Sequence, residues 1–125
     1  MSHFATIAVE VKDIAALRAA CQELGLDVTE NAEARGYGSN KIHGDHVIRL
    51  KGPYDVALQR QTDGNYTLTA DLWQGHVEKE LGSGFGRLKQ IYGVHKATIE
   101  ARRRGMSVRR QNRADGTIRV ALCRV

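Results

Sequence analysis

Residues 87–116 read RLKQIYGVHKATIEARRRGMSVRRQNRADG. At about 100° per residue, Phe85, Leu88, Ile91, Tyr92, His95 and Ile99 fall within one arc, which predicts an amphipathic helix over residues 83–104 with its apolar stripe on a sheet. Gly105 ends it. The alternation of MSVRRQNR and TIRVALCRV around Asp115-Gly116 then predicts a closing hairpin. A helix that feeds a hairpin, rather than a crossover strand, points away from a parallel sheet.

The remainder of the chain extends this pattern upstream. HFATIAVEV alternates as a first strand, and Asp13 can cap a helix whose inward stripe is Ile14, Leu17, Cys21 and Leu24, with Gly25 as its stop. LDVTENAEA reads as a second, more exposed strand, and RGYGSNKIHGD as a polar, glycine-rich loop. HVIRLKGPYDVALQRQ supplies strands on both sides of KGPY. Asp63-Gly64 turns a two-residue hairpin into YTLTADLW, and QGHVEKELGSGFG is a connector with a helical turn. The expected fold is α+β, a two-layer sandwich with a largely antiparallel sheet and two helices on one face, formed by residues 1–125 as a single domain. VALQRQTDGNYTL and VRRQNRADGTIRV share a frame, as do ELGLDV and RRGMSV. Reuse of the same turn chemistry accounts for both echoes without a duplication.

The chain has 125 residues, of which 42% are hydrophobic and 26% charged, an ordinary composition for one globular domain. No apolar run approaches the roughly 20 residues of a membrane span, and the N-terminus lacks the marks of a signal peptide, so a cytoplasmic protein is expected. Cys21 and Cys123 fall in helix and strand patterns and read as buried free thiols. The net charge of +5 is uneven: residues 1–75 hold 7 basic against 10 acidic side chains, residues 76–125 hold 12 against 4. Such a division suggests an anionic partner or a contact between unlike faces of two copies.

On the long helix, the face opposite the apolar stripe carries Gly86, Gln90, Gly93, Val94, Ala97 and Ala101. Small residues there let another backbone approach, which makes Gly86, Gly93, Ala97 and Ala101 a candidate interaction face, toward the first helix or another subunit. Lys89, Lys96 and Arg103 line one flank, and Arg102, Arg103 and Arg104 complement the negative end of the helix dipole. Helix stabilisation explains Arg109, Arg110 and Arg113 less well. With Lys89, Lys96 and Arg102 to Arg104, they form the candidate nucleic-acid or anion surface. Aromatic residues are few and do not cluster with this charge, so such binding would act on phosphates and be sensitive to salt. Strand alternation puts Arg109 and Arg119 outward, with Arg110 and Arg124 on the other face.

Catalytic signals are thin. GSGFGRLK is neither of the two standard phosphate-loop patterns and reads as a loop with Ser83 as helix cap. His43, Asp45 and His46 sit close together in HGDH, in what reads as a polar loop, with His3 and His76 elsewhere. No metal and no cofactor is expected. His95, on an apolar face, reads as a structural histidine.

Several short pieces recur in order: Met1-Ser2-His3-Phe4, Arg35-Gly36-Tyr37, Val47-Ile48-Arg49, Tyr54-Asp55, Ala70-Asp71-Leu72 and the RADG of residues 113–116. The most specific is R-L-x-Q-x-Y-x-x-H, formed by Arg87, Leu88, Gln90, Tyr92 and His95. Together they resemble the hypothetical chloroplast reading frame thirty-five family of plastids and cyanobacteria, a domain of unknown function with relatives in other bacteria and phages. The resemblance implies no catalytic residue. It implies an accessory or adaptor role beside a protein partner such as a MoxR-type ATPase, in plastid stroma or cyanobacterial cytoplasm. Gly84, Gly86 and Gly93 stand outside the family pattern; Tyr92 and His95 belong to it.

The sequence therefore leads to a small non-catalytic binding or adaptor module that acts through protein contacts, alone or as a homo-oligomer. Salt-sensitive nucleic-acid binding by the basic C-terminal surface is the alternative. An enzyme with a site near His95 and Tyr92 is a second one, and the lack of a catalytic constellation argues against it.

Overall fold

The computed structural model describes residues 4–124; of the pieces above, Met1, Ser2 and His3 lie outside them. Strand β1 (Phe4–Val11) leads into helix α1 (Ile14–Glu23), then β2 (Asp27–Arg35), β3 (Lys41–Arg49), β4 (Val56–Arg60) and β5 (Tyr66–Asp71). Short α2 (His76–Leu81) precedes the long helix α3 (Gly86–Arg103) and the strands β6 (Met106–Asn112) and β7 (Ile118–Arg124). Every strand pairing is antiparallel. Five strands form one sheet in the order β1-β5-β4-β3-β2, and β6 and β7 form a separate two-stranded ribbon. The α+β antiparallel architecture is as expected, with the final hairpin standing apart from the main sheet.

The local chemistry explains the elements. Asp13 caps α1, its Oδ1 accepting the Ala16 N–H at 3.1 Å, and Gly25 stops the helix at φ +73°. Leu17 and Cys21 point into the core with Ala16 and Ala20, against Ile48, Val56, Leu58 and Leu68 from the sheet and Leu88, Ile91 and Tyr92 from α3. At roughly 25 cal/mol per Å² of apolar surface, this shared cluster is the main source of stability. Helix α3 begins three residues later than the sequence suggests. Residues 83–85 form a 3-10 turn, no side chain caps α3, and Phe85 is fully buried at φ +64°. Ser83 is therefore not the cap. Burial of the Phe85 ring holds a left-handed conformation that a bulky residue rarely adopts.

The segment read as a loop over residues 35–45 is mostly strand. The β3–β4 pairing stops at His46, while β2 and β3 stay paired out to Arg35 and Lys41. This two-stranded arm bends at Asn31, which has φ +48°, and at buried Gly44, where a Cβ would lie 2.6 Å from the His46 carbonyl oxygen. Ala32, Ala34 and Ile42 of the arm then pack on Val47 and Ala57 as a second small core. Sequence alternation could not show this, because the bend exchanges inner and outer faces.

The two Asp-Gly turns are built alike, and each is longer than the two-residue form expected. Gly64 N–H donates to the Gln61 carbonyl and Gln61 N–H to Asn65; Gly116 N–H donates to Arg113 and Arg113 N–H to Thr117. The glycines sit at φ +86° and +87°, the geometry of a type I turn closed by a glycine bulge. Gly25 and Gly105 end their helices at the same φ of +73°. The echoes in the sequence are thus repeated turn chemistry.

Candidate functional site

Four residues of the R-L-x-Q-x-Y-x-x-H motif act on different parts of the fold. Leu88 is in the core. The Tyr92 hydroxyl accepts the N–H groups of Lys12 and Asp13, each at 3.2 Å, so it braces the entry to α1. Gln90 Nε2 donates to the Gly116 carbonyl at 2.8 Å, which fastens the β6–β7 turn to α3. His95 Nε2 meets Glu23 Oε1 at 2.8 Å at the end of α1. Arg110 of β6 grips the same carboxylate through both terminal nitrogens, at 2.7 and 2.8 Å. Arg110's hydrogen bonds, with His95 beside them, pull the Glu23 carboxyl down to about 2. Helix α1, helix α3 and the ribbon therefore meet at one carboxylate. Arg87, the remaining motif residue, is exposed.

The small-residue face is divided by this arrangement. Gln90, Val94, Ala97 and Ala101 form one stripe along α3, and the ribbon runs back along the helix from Gly105 to its tie at Gln90. Val94 and Ala101 are buried and Ala97 is half-buried. Gly86 and Gly93 face open space, with nothing within 4 Å of a Cβ at either.

On the ribbon, Met106, Val108, Arg110, Asn112, Ile118, Val120, Leu122 and Arg124 share one face by register, and Ser107, Arg109, Gln111, Arg119, Ala121 and Cys123 share the other. Ile118 packs on the core. Arg109, Gln111 and Arg119 line a groove of about 200 Å³ floored by Ala121. A second groove, of about 540 Å³, lies between Arg104 and Arg124 beside Gly105 and Met106. Lys89, Arg102, Arg103, Arg104, Arg109 and Arg113 are exposed and Lys96 is half-buried. Among the described residues, ion pairs involve Arg18, Arg35, Arg49, His95 and Arg110, and none of the other C-terminal arginines. Arg110 differs from its neighbours because Glu23 holds it. Cys123 is exposed, not buried as expected; Cys21 is enclosed, and burial pushes its thiol up to about 12.

The other candidates do not converge. His43 and Asp45 lie on β3, where His46 faces the opposite way toward Arg18 and Tyr66, and Asp45 accepts the Arg60 N–H at 2.7 Å. Among the described residues no group of three or more His, Cys, Asp or Glu could hold a metal ion. In the glycine-rich turn, Gly84 N–H donates to Glu78 Oε2 at 2.8 Å, so a carboxylate of the chain occupies the donor an anion would need.

A further cluster carried no role in the sequence reading. Asp55 is fully buried. Its Oδ2 accepts from Arg35 N–H at 3.0 Å, Arg35 Nε at 2.8 Å and Arg49 Nη1 at 3.1 Å, and its Oδ1 from Arg35 Nη2 at 2.8 Å and Leu50 N–H at 3.2 Å. Burial works to raise its pKa and is the largest single influence, but the Arg35 side chain and the Arg35 and Leu50 N–H groups together hold it below the usual aspartate range. Arg35, Arg49 and Asp55 all stand in the short recurring pieces, which was the one available signal. Asp71, also buried, accepts from Tyr37 N–H and Trp73 N–H, and Tyr37 packs edge-on to Trp73.

The chain belongs to the family described as protein of unknown function (DUF1257), whose profile matches residues 20–121. Comparison with curated proteins and with solved structures returns no match. Among the described residues no helix is long and apolar enough to cross a membrane.

Proposed function

We propose that the protein is a non-catalytic binding module whose working surface is the β6–β7 ribbon and the adjoining end of α3, and whose partner is nucleic acid held through its phosphates. One observation carries this reading. From Glu100 to the C-terminus the chain has eight arginines, no lysine and two acidic residues, and only Arg110 among those arginines is committed to an ion pair among the described residues. Arginine's planar fork suits bidentate capture of phosphate, whereas lysine is a point charge. A two-stranded antiparallel ribbon is a shape that enters or tracks a groove. No aromatic residue lies in this segment, so contact with the backbone, not base stacking, supplies the affinity.

The test is fluorescence anisotropy with a labelled single-stranded RNA and a DNA duplex at low and physiological salt. Micromolar binding that weakens steeply with salt is expected. The Arg109→Gln/Arg119→Gln protein should show a salt slope shallower by about 1 for each lost phosphate contact. Among the described residues both side chains are free of ion pairs, so the variant should fold. Absent or salt-independent binding by well-folded protein removes the reading.

A second reading, an adaptor that works by protein contact, is favoured by the outer edges of β6 and β7, which pair with no other strand among the described residues, and by the exposure of Leu122. Unpaired strand edges accept an added strand. The likeness to the chloroplast reading frame family, with a MoxR-type ATPase as partner, belongs to this second reading.

A further inference from the structure

We infer that the outer side of the β2–β3 arm is a second, separate anion site, built to take a phosphate group on Arg35 and Arg49. Arg35 and Arg49 line one groove of about 560 Å³ with Asn31, Ala32, Glu33, Lys41 and His43. That volume is in the range of small-molecule sites.

Buried Asp55 holds one side of each arginine and leaves the other free. Arg35 uses Nε and Nη2 on Asp55, and Nη2 also reaches the Leu50 and Gly52 carbonyls at 3.3 and 2.9 Å. Arg49 uses Nη1 on Asp55 and on the Glu33 carbonyl at 2.8 Å. Among the described residues, Arg35 Nη1 and Arg49 Nε and Nη2 have no acceptor, although these side chains are only 47% and 35% exposed. Fixed guanidinium groups with unused N–H donors lose little freedom when an oxyanion arrives.

The charge balance agrees. Arg35, Arg49 and Lys41 outweigh Glu33 and Asp55, and register sets Arg35 opposite Lys41 and Glu33 opposite His43. Asp55 is closed off from solvent, so it orients the arginines without presenting its own charge to a ligand. A phosphate, with three oxygens to share, matches the free donors better than a single carboxylate. The phosphate can come from a small molecule or from the 5′ end of an oligonucleotide.

The experiment is a titration followed in ¹H–¹⁵N spectra at constant ionic strength, using pyrophosphate, and a 5′-phosphorylated tetranucleotide with its 5′-hydroxyl form as control. It is run on the Arg109→Gln/Arg119→Gln protein so that the ribbon contributes less, and shifts of the ribbon's own amides are followed separately. Saturable shifts of Arg49 Nε and of the Lys41 and His43 amides are expected, with affinity at least about tenfold weaker in Arg49→Gln. Arg49→Gln gives up two internal hydrogen bonds, so Lys41→Glu, which gives up none among the described residues, is the second variant and should weaken binding comparably. Shifts with pyrophosphate point to a small-molecule source. Shifts confined to the phosphorylated tetranucleotide point to an oligonucleotide end. Shifts that do not saturate, that match the hydroxyl control, or that persist unchanged in Lys41→Glu overturn the site.

Discussion

Replacing Asp55 with Asn keeps the shape of the side chain and removes its charge, which isolates what the buried carboxylate does. Five donors converge on the two oxygens. Asn offers one accepting oxygen, and its amide sets N–H groups against N–H groups. Breaking a buried pair by removing one partner costs about 3–5 kcal/mol. The lower end applies here, about 3 kcal/mol, because both arginines are partly open to water and can turn outward. At about 4 °C per kcal/mol for a domain of this size, the midpoint should fall by roughly 10 °C.

Acid distinguishes this cause from simple mispacking. The folded pKa of Asp55 lies below its unfolded value of about 3.9. Its contribution is therefore complete above that unfolded value and is lost as pH falls through the folded one. Urea denaturation at pH 7, 5 and 3 should give a full gap between wild type and Asp55→Asn at the first two and a smaller gap at the last. Two results would refute the reasoning: a variant within about 0.5 kcal/mol of wild type at pH 7, or a gap that stays constant to pH 3.

Tyr92→Phe deletes the acceptor shared by the Lys12 and Asp13 N–H groups; a loss of about 1–2 kcal/mol is expected, with faster hydrogen exchange at those two amides, and unchanged exchange would contradict the bracing role. The glycines separate by position. Gly93→Ala, in helical backbone with open space around the new methyl, should stabilise by about 1 kcal/mol in thermal melts. Gly44→Ala, whose Cβ would meet the His46 oxygen at 2.6 Å and Ala57 and Val47 at 3.1 Å, should destabilise by about 1–3 kcal/mol; equal effects at both sites would show that the bend at Gly44 is not needed.

Much of the fold was legible because it rests on local rules. Asp13 before an apolar stripe, Gly25 and Gly105 after helices, and two Asp-Gly turns each name their own geometry. The start of α3 was not legible, since burial of Phe85 overrides the absent cap. The β2–β3 arm was misread for a similar reason. Gly36, Gly38 and Gly44 suggest a loop, whereas strand pairing continues past the bend and only the turn at residues 36–40 is irregular. At the candidate sites, alternation put Arg109 and Arg119 together on one side of the ribbon. Nothing in spacing could join Arg35, Arg49 and Asp55, because the fold of the arm brings them together. Nor could spacing foresee that Glu23 and Arg110, 87 residues apart in sequence, share two hydrogen bonds.

The ribbon's charge is hard to attribute to stability. A lone two-stranded hairpin is marginal in water, and like charges on one face lower its stability further. A segment selected only to fold would place acids beside those arginines. Here Glu23 of α1 takes Arg110 alone among the ribbon's arginines, with His95 beside it, Asp115 accepts from Thr117 within the turn, and Gln90 secures that turn from the other end. Both ties hold the strands in position, and neither neutralises Arg109, Arg113 or Arg119. Gln90 and His95 in the R-L-x-Q-x-Y-x-x-H spacing serve this same attachment, so the most specific motif in the chain acts partly to fix the pose of a ribbon whose other arginines make no ion pair among the described residues. Positioning charge while leaving it unmatched is what the proposed anionic partner would require.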